Sequence, residues 1–177
     1  MKKKTFYGIM LLLVLIILGA ALIPTVGTPG ISSDRATTRT QYVGYVNALQ
    51  LFNGEYGHWP QFFEGESEFD LSKHPNSERF METLSGLDKD GEVVKAYGNT
   101  RALRFYEFTE SEFEISKATG DLQIVGRLGN HRIILSIDHD ENGIITVPDG
   151  KETKQIRARA TAYSTDSNGE VVIALWD

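Results

Sequence analysis

An uncharged apolar run from Phe6 to Ile23 constrains this 177-residue chain more than any other feature of its sequence. A helix rises about 1.5 Å per residue, so this run would extend roughly 27 Å, close to the hydrocarbon thickness of a bilayer. Lys2, Lys3 and Lys4 precede the run, and the next basic residue is Arg35. This charge bias predicts a membrane helix with a cytoplasmic N-terminus and an exported remainder.

A cleaved secretory signal is the alternative interpretation of this segment. Signals also have a basic start and an apolar centre, followed by small residues at the cleavage site. Gly19-Ala20-Ala21 has that composition, but the apolar run continues through Leu22 and Ile23. Because signals usually have a shorter apolar centre, we favour a retained anchor.

The part predicted to be exported is acidic and lacks cysteine. From Asp34 onward the chain has 15 basic and 24 acidic residues, a formal net charge of −9. Repulsion from a polyanion therefore disfavours a nucleic-acid partner. Without cysteine the chain has no disulfide framework, thiolate metal site or Cys nucleophile.

Two helices are predicted behind the anchor. Residues 24–33 contain Pro24, Pro29 and glycines, which predict a hinge. Ser32 or Ser33 then caps an amphipathic helix, and Asn53-Gly54 marks its end. Its apolar residues recur at three- and four-residue spacing and are expected to pack on a sheet: Tyr42, Tyr45, Val46, Leu49, Phe52 and Tyr56. After a loop over 55–68, a shorter helix starts at Asn76 or Ser77 and contains Phe80, Met81, Leu84 and Leu87, with Gly86 ending it.

The rest of the chain has the period-two pattern of strands. Strands are predicted in LRFYEF (103–108), around Phe113 and Ile115, and in LQIV (122–125), RIILSI (132–137), IITV (144–147), RARATAYS (157–164) and VVIAL (171–175). Turn signals such as Asp90-Gly91, Gly98-Asn99 and Asn168-Gly169 separate them. The predicted fold class is α+β: an N-terminal transmembrane helix, a hinge, and an amphipathic helix packed on one antiparallel sheet.

Residues 138–149 (DHDENGIITVPD) carry the most chemical content. Oxygen-bearing side chains at positions one, three and five, glycine at six and a carboxylate at twelve reproduce the spacing of a calcium loop. The predicted Ca²⁺ ligands are the side chains of Asp138, Asp140, Asn142 and Asp149, with Ile144 at the seventh position supplying its carbonyl. Because position twelve is not Glu and both flanks look like strands, a β-hairpin turned at Asn142-Gly143 is the alternative.

No catalytic site is predicted. His58, His74, His131 and His139 lack zinc-like spacing, and no nucleophile elbow, phosphate loop or dinucleotide fingerprint occurs. Neighbouring turn carboxylates such as Asp138 and Asp140 are commonplace and do not by themselves indicate acid–base catalysis. We therefore expect a protein that is not an enzyme, and no small-molecule substrate is identified.

Several passages occur in order along the chain: ATTRTQYVGYVNALQLFNGEYGHWPQF, METLSG, GNTRALRFYEF, LGNHRIILSI, DHDENG and YSTDSNGEVVIALW. With the apolar stem before them, they resemble the type IV pilin-like proteins, especially the major pseudopilin of type II secretion systems. The resemblance implies a structural subunit of a type II secretion or type IV pilus-type apparatus. It would span the inner membrane once, with a periplasmic pilin-like domain, and assemble with other pilin-like subunits through its N-terminal helix.

The resemblance also implies processing between Gly8 and Ile9. Relatives carry a glutamate five residues after that glycine, where this chain has Leu13; if the stems are instead aligned by Pro24, the glutamate position falls on Tyr7. In the family, that carboxylate is thought to pair with the neighbouring subunit's N-terminal amine. Without it, docking should be weaker, which predicts a minor, initiating or accessory component.

The predicted organisation has four parts: a cytoplasmic tip at 1–5, a transmembrane helix at 6–23, a hinge at 24–33 and an exported pseudopilin-like domain at 34–177. A membrane-tethered or secreted, calcium-stabilised ligand-binding module is the alternative function. The N-terminal sequence of the mature protein would discriminate between them best.

Overall fold

The computed structural model describes residues 30–117, 120–127 and 132–176. The predicted tip, membrane helix, Gly8-Ile9 processing point and most of the hinge lie outside these ranges. Within them, no helix is both long enough and apolar enough to cross a bilayer. The chain divides into the units Met1–Ile31 and Ser32–Asp177, and the second unit contains the elements described below apart from the first two residues of the long helix.

Helix α1 (Gly30–Tyr56) is the longest element and confirms the predicted aromatic stripe. Tyr42, Tyr45 and Phe52 on this stripe are fully buried. The helix begins before the predicted serine cap, because a proline ahead of the first turn removes no helical hydrogen bond and so does not delay the start.

The predicted stop of α1 at Asn53-Gly54 is also wrong, because the helix runs three further residues to Tyr56. Gly54 has open space around it and is tolerated inside the helix. Gly57 instead adopts the left-handed conformation, with φ of 74°, and its N–H donates to the Asn53 carbonyl at 2.8 Å. This geometry ends helices where a glycine allows it.

The second predicted helix is confirmed as α2 (Asn76–Ser85), which ends at Gly86 in the left-handed conformation. A side chain at Gly86 would also collide with the backbone of Ala102, because a Cβ would lie 2.5 Å from that carbonyl oxygen. The predicted loop over 55–68 contains a short 3-10 helix, Gln61–Phe63.

The prediction of one antiparallel sheet is wrong in its connectivity. The strands are β1 (Glu68–Asp70), β2 (Phe113–Ile115), β3 (Leu122–Ile124), β4 (Arg132–Ile137), β5 (Ile144–Asp149), β6 (Glu152–Arg157), β7 (Ala160–Thr165) and β8 (Val171–Ala174). They form a four-stranded sheet in the order β1-β4-β7-β8, here called the main sheet, and the separate pairs β2-β3 and β5-β6. The predicted strand RARATAYS is divided between β6 and β7. All these pairings are antiparallel, so the α+β class holds.

The predicted strand 103–108 is irregular, although its aromatic side chains do pack on the core. The N–H groups of Phe105 and Tyr106 both donate to the Leu84 carbonyl, at 2.8 and 3.0 Å. The apolar residues alternate here because they pack beside α2. The backbone bonds to the end of that helix, and none of the described strands pairs with this segment.

Helix α1 packs on one face of the main sheet. Its buried stripe forms one core cluster with Ile133, Leu135 and Ile137 of β4. The opposite face of the sheet carries a smaller cluster that includes Ile134 and Tyr163, with Trp176 packed against it. Side chains alternate across a strand, so β4 contributes to both clusters.

Candidate functional site at the 138–143 loop

Asp138 organises the loop that follows β4. The residue is only 4% exposed, its N–H donates to the Arg159 carbonyl at 2.9 Å, and its own carbonyl accepts the Trp59 indole N–H at 3.0 Å. The carboxylate accepts the N–H of Asn142 at 3.1 Å and that of Gly143 at 2.8 Å. The chain is thereby wrapped around the Asp138 side chain.

Asp140 and Asn142 are joined within the same loop. The Asn142 Nδ2 donates to Asp140 Oδ2 at 2.7 Å, and the Asn142 Oδ1 accepts the Ile144 N–H at 2.7 Å. Gly143, with φ of 81°, supplies the left-handed residue that the tight turn requires. Each carboxylate oxygen can accept more than one hydrogen bond, so the oxygens of Asp138 and Asp140 keep acceptor capacity for a cation.

Asp149 is not brought to the other predicted ligands. Ile144 begins β5 and Asp149 ends it, so an extended strand separates their Cα atoms by roughly 16 Å. Asp149 lies at the far tip of the β5-β6 pair, opposite Glu152 and 4.0 Å from Lys154 Nζ. Among the described residues, no group of three or more His, Cys, Asp or Glu is arranged to hold a metal ion. Calcium binding stays a prediction that rests on Asp138, Asp140, Asn142 and the Ile144 carbonyl.

The alternative hairpin at Asn142-Gly143 is contradicted. Strand β4 pairs with β1 on one side and β7 on the other, so it has no free edge for β5. Strand β5 pairs with β6 instead, through a turn at Gly150. The 138–143 loop therefore links two separate sheets.

The described histidines do not form a catalytic or metal cluster. His58 and His139 border one cavity of about 420 Å³ beside Trp59, but the His58 Nδ1 is engaged by the Trp59 carbonyl at 2.8 Å. His74 lies 3.2 Å from Asp121, on a different part of the surface. His131 lies outside the described residues.

A buried acid that no sequence motif assigned to a site lies beside α1. Glu112 is 8% exposed, and its Oε2 accepts the hydroxyls of Tyr45 at 2.7 Å and Tyr106 at 3.1 Å. Burial, and next the neighbouring Glu112 charge, raise the pKa of both phenols. The other Glu112 oxygen accepts the Thr109 N–H at 3.0 Å. The Thr-x-x-Glu capping-box spacing was the available signal, but it does not reveal the two tyrosine partners.

Comparison of the chain with protein-family models, with curated proteins and with solved structures found no significant match.

Proposed function

We propose that this protein is a non-catalytic, pseudopilin-like subunit that assembles through its apolar N-terminal segment in a type II secretion or pilus-type apparatus. The observation that carries the proposal is the order of elements. A 27-residue helix begins seven residues after the apolar run ends at Ile23, and one face of that helix packs along an antiparallel sheet. An anchor followed by a long, sheet-backed helix suits a protein that works by helix association.

The burial pattern along α1 supports this proposal. Buried positions lie between Thr38 and Asn53, whereas residues 33–37 are mainly exposed. Outside the buried stripe, Val43 is 44% exposed and Leu51 is 61% exposed. These residues add an apolar contact surface on the same helix that follows the predicted anchor.

Crosslinking in native membranes tests the assembly role. The full-length protein should sediment with membranes, resist carbonate extraction and crosslink to other pilin-like subunits from a photoreactive residue at Leu15. The same reagent at Glu152, on the tip of the β5-β6 pair, is the control and should give fewer such products. Leu13→Glu should increase self-association if Gly8 is the processing point, because the carboxylate would face the freed amine of Ile9 in a neighbour.

Two results would contradict the assembly role. One is recovery of the protein as a soluble exported species that starts near Leu22 or Pro24, which identifies a cleaved signal. The other is an intact Met1 together with the absence of any crosslinked partner from the stem.

A membrane-tethered or secreted, calcium-stabilised binding module is the second candidate. It is favoured by the 138–143 loop, in which the Asp138 carboxylate accepts the N–H groups of Asn142 and Gly143. Calcium at about a hundred times its dissociation constant should raise the free energy of unfolding by roughly 2.7 kcal/mol. Asp140→Ala should abolish the increment, whereas Asp149→Ala should retain it because Asp149 lies at the far end of β5. Equal thermal unfolding of the parent protein in calcium and in chelator would eliminate this candidate.

A further inference from the structure

Residues of β1, β4, β5, β6 and the 138–143 loop line a second cavity of about 420 Å³. We call it the hairpin cavity, because the β5-β6 hairpin supplies one of its walls. Its apolar wall includes Ile144 and Ile145, and its polar residues include Glu68, Ser136 and Asp140. It is large enough for a small organic molecule and independent of the proposed assembly role.

Ser136 supplies an unfilled hydrogen-bonding group in this cavity. The residue is 1% exposed, and its Oγ has no hydrogen-bond partner among the described residues. Its neighbours Leu135 and Ile137 belong to the core beneath α1, so Ser136 faces the opposite side of the sheet, where Glu68 is its partner across the strands. A buried hydroxyl without a protein partner is costly unless water or another molecule bonds to it, so Ser136 has hydrogen-bonding capacity for an occupant of the cavity.

The charge of the lining indicates the chemistry of that occupant. Glu68 and Asp140 line the cavity together with His139, and no described Lys or Arg does. Glu68 accepts one hydrogen bond, from the Tyr163 hydroxyl at 2.8 Å, and Asp140 accepts one, from Asn142. Both carboxylates therefore retain acceptor capacity for a donor with positive charge. The apolar surface of Ile144 and Ile145 beside these acids favours a cation that carries an organic chain.

We propose that the hairpin cavity binds an alkylammonium group. An ammonium has three N–H donors, and the cavity offers acceptors on Glu68, Asp140 and Ser136, while Ile144 and Ile145 offer apolar surface to its methylene chain. The group comes either from a free amine or from a lysine side chain of a partner protein.

Titration of the full-length protein with n-butylammonium chloride tests the proposal. The protein is kept in non-ionic detergent with chelator, and NMR amide chemical shifts monitor binding. Shifts should concentrate in β1, β4 and β5, and 1-butanol at the same concentrations should not produce them. Glu68→Gln and Ser136→Ala should each weaken binding about tenfold, because each removes one charge-assisted contact. Ser136→Ala is expected to fold, since its hydroxyl bonds to no described residue.

Glu152→Gln is the matched control, because Glu152 is an exposed acid on the same hairpin and does not line the cavity. It should leave the affinity unchanged. Butanol binding as tightly as butylammonium, or full affinity in Glu68→Gln, would overturn the proposal. A third titration with the N-acetyl methylamide of lysine identifies the source: tighter binding than butylammonium indicates a protein lysine, and weaker binding indicates a free amine.

Discussion

Asn99 fixes a segment that has no regular secondary structure. Its side chain is fully buried, and its Nδ2 donates to the carbonyls of Thr83 at 2.8 Å and Leu103 at 2.7 Å. Its Oδ1 accepts the Leu103 N–H at 2.8 Å and the Tyr56 hydroxyl at 2.7 Å. One amide thus connects the end of α1, the last turns of α2 and the start of the irregular 103–108 stretch.

Asn99→Ala should lower the free energy of unfolding by about 3 kcal/mol or more, because it leaves several buried polar groups without a partner. Urea denaturation of the full-length protein in detergent measures the change. Asn168→Ala, at an exposed turn, is the control and should change stability by less than about 0.5 kcal/mol. Equal effects of the two substitutions would show that the Asn99 network does not stabilise the fold.

Helix α1 lies so close to the 103–108 segment that a side chain at Gly44 would force Tyr106 to move. A Cβ on Gly44 would lie 2.7 Å from Cε2 of Tyr106, the residue whose hydroxyl donates to Glu112. Gly54, on the same helix, has no atom within 4 Å of the corresponding position. The two helical glycines therefore have opposite roles: one allows a close approach, and the other only weakens the helix.

Gly44→Ala and Gly54→Ala should separate these roles. Alanine in place of a helical glycine contributes about 1 kcal/mol of helix propensity, so Gly54→Ala should stabilise the protein by up to that amount. Gly44→Ala should displace the Tyr106 ring and end about 1–3 kcal/mol below Gly54→Ala in free energy of unfolding. Thermal or urea unfolding compares them, and equal stabilisation by both would contradict the close contact.

At the scale of the whole molecule, an ion pair joins the edge of the main sheet to its neighbouring strand. The Asp70 Oδ2 accepts the Arg132 Nε–H at 3.1 Å and also pairs with Nη2. The Asp70 Oδ1 accepts the Ser72 N–H at 3.0 Å and the Ser72 hydroxyl at 2.6 Å. Burial by itself would raise the pKa of Asp70, but the hydrogen bonds from Ser72 and Arg132 outweigh it and lower the pKa below its usual value.

This lowered pKa predicts acid sensitivity of the fold. The ionised Asp70 carboxylate adds to the free energy of unfolding. This contribution is fully present above the unfolded-state pKa of about 4 and is lost as pH falls through the lower folded-state pKa. Asp70→Asn should reduce the free energy of unfolding at neutral pH by about 1–2 kcal/mol, a range discounted because the Arg132 side chain is 48% exposed. The difference from the parent protein should close as the pH falls below 4. Asp90→Asn, at an exposed turn, should give no such pH-dependent difference.

Local patterns in the sequence predicted the helices, but they did not predict which strands, distant in sequence, pair with one another. The spacing of Tyr42, Tyr45 and Phe52 identifies the buried face of α1, because helical periodicity is a property of neighbouring residues. Gly86 identifies the end of α2 for the same reason. The choice of β7 as a partner for β4, in place of β5, depends on which strand edges are already occupied, and no local pattern contains that information.

The candidate site also contains residues that local sequence could place and residues that it could not. Asp138, Asp140 and Asn142 are close in sequence and are gathered by local hydrogen bonds, so their spacing predicted their proximity. The prediction that Asp149 joins these ligands was wrong, because the residues between Ile144 and Asp149 form an extended strand. Ser136 has no local signal, since its role arises only when the β5-β6 hairpin supplies the opposite wall of the cavity.

The contact between the two ends of the folded unit bears on the order of events during synthesis. The Arg35 guanidinium donates to the Val172 carbonyl at 2.7 Å, across 137 residues of chain. A ribosome that adds about 5–20 residues per second needs roughly 7 to 27 s to make that stretch. For most of this interval α1 has been translated and the main sheet is incomplete, because α1 ends at Tyr56 and the last strand, β8, begins only at Val171. The nascent chain must therefore hold an incompletely covered aromatic stripe for seconds, and a chaperone that shields it should raise the yield of native protein more than one that acts after release.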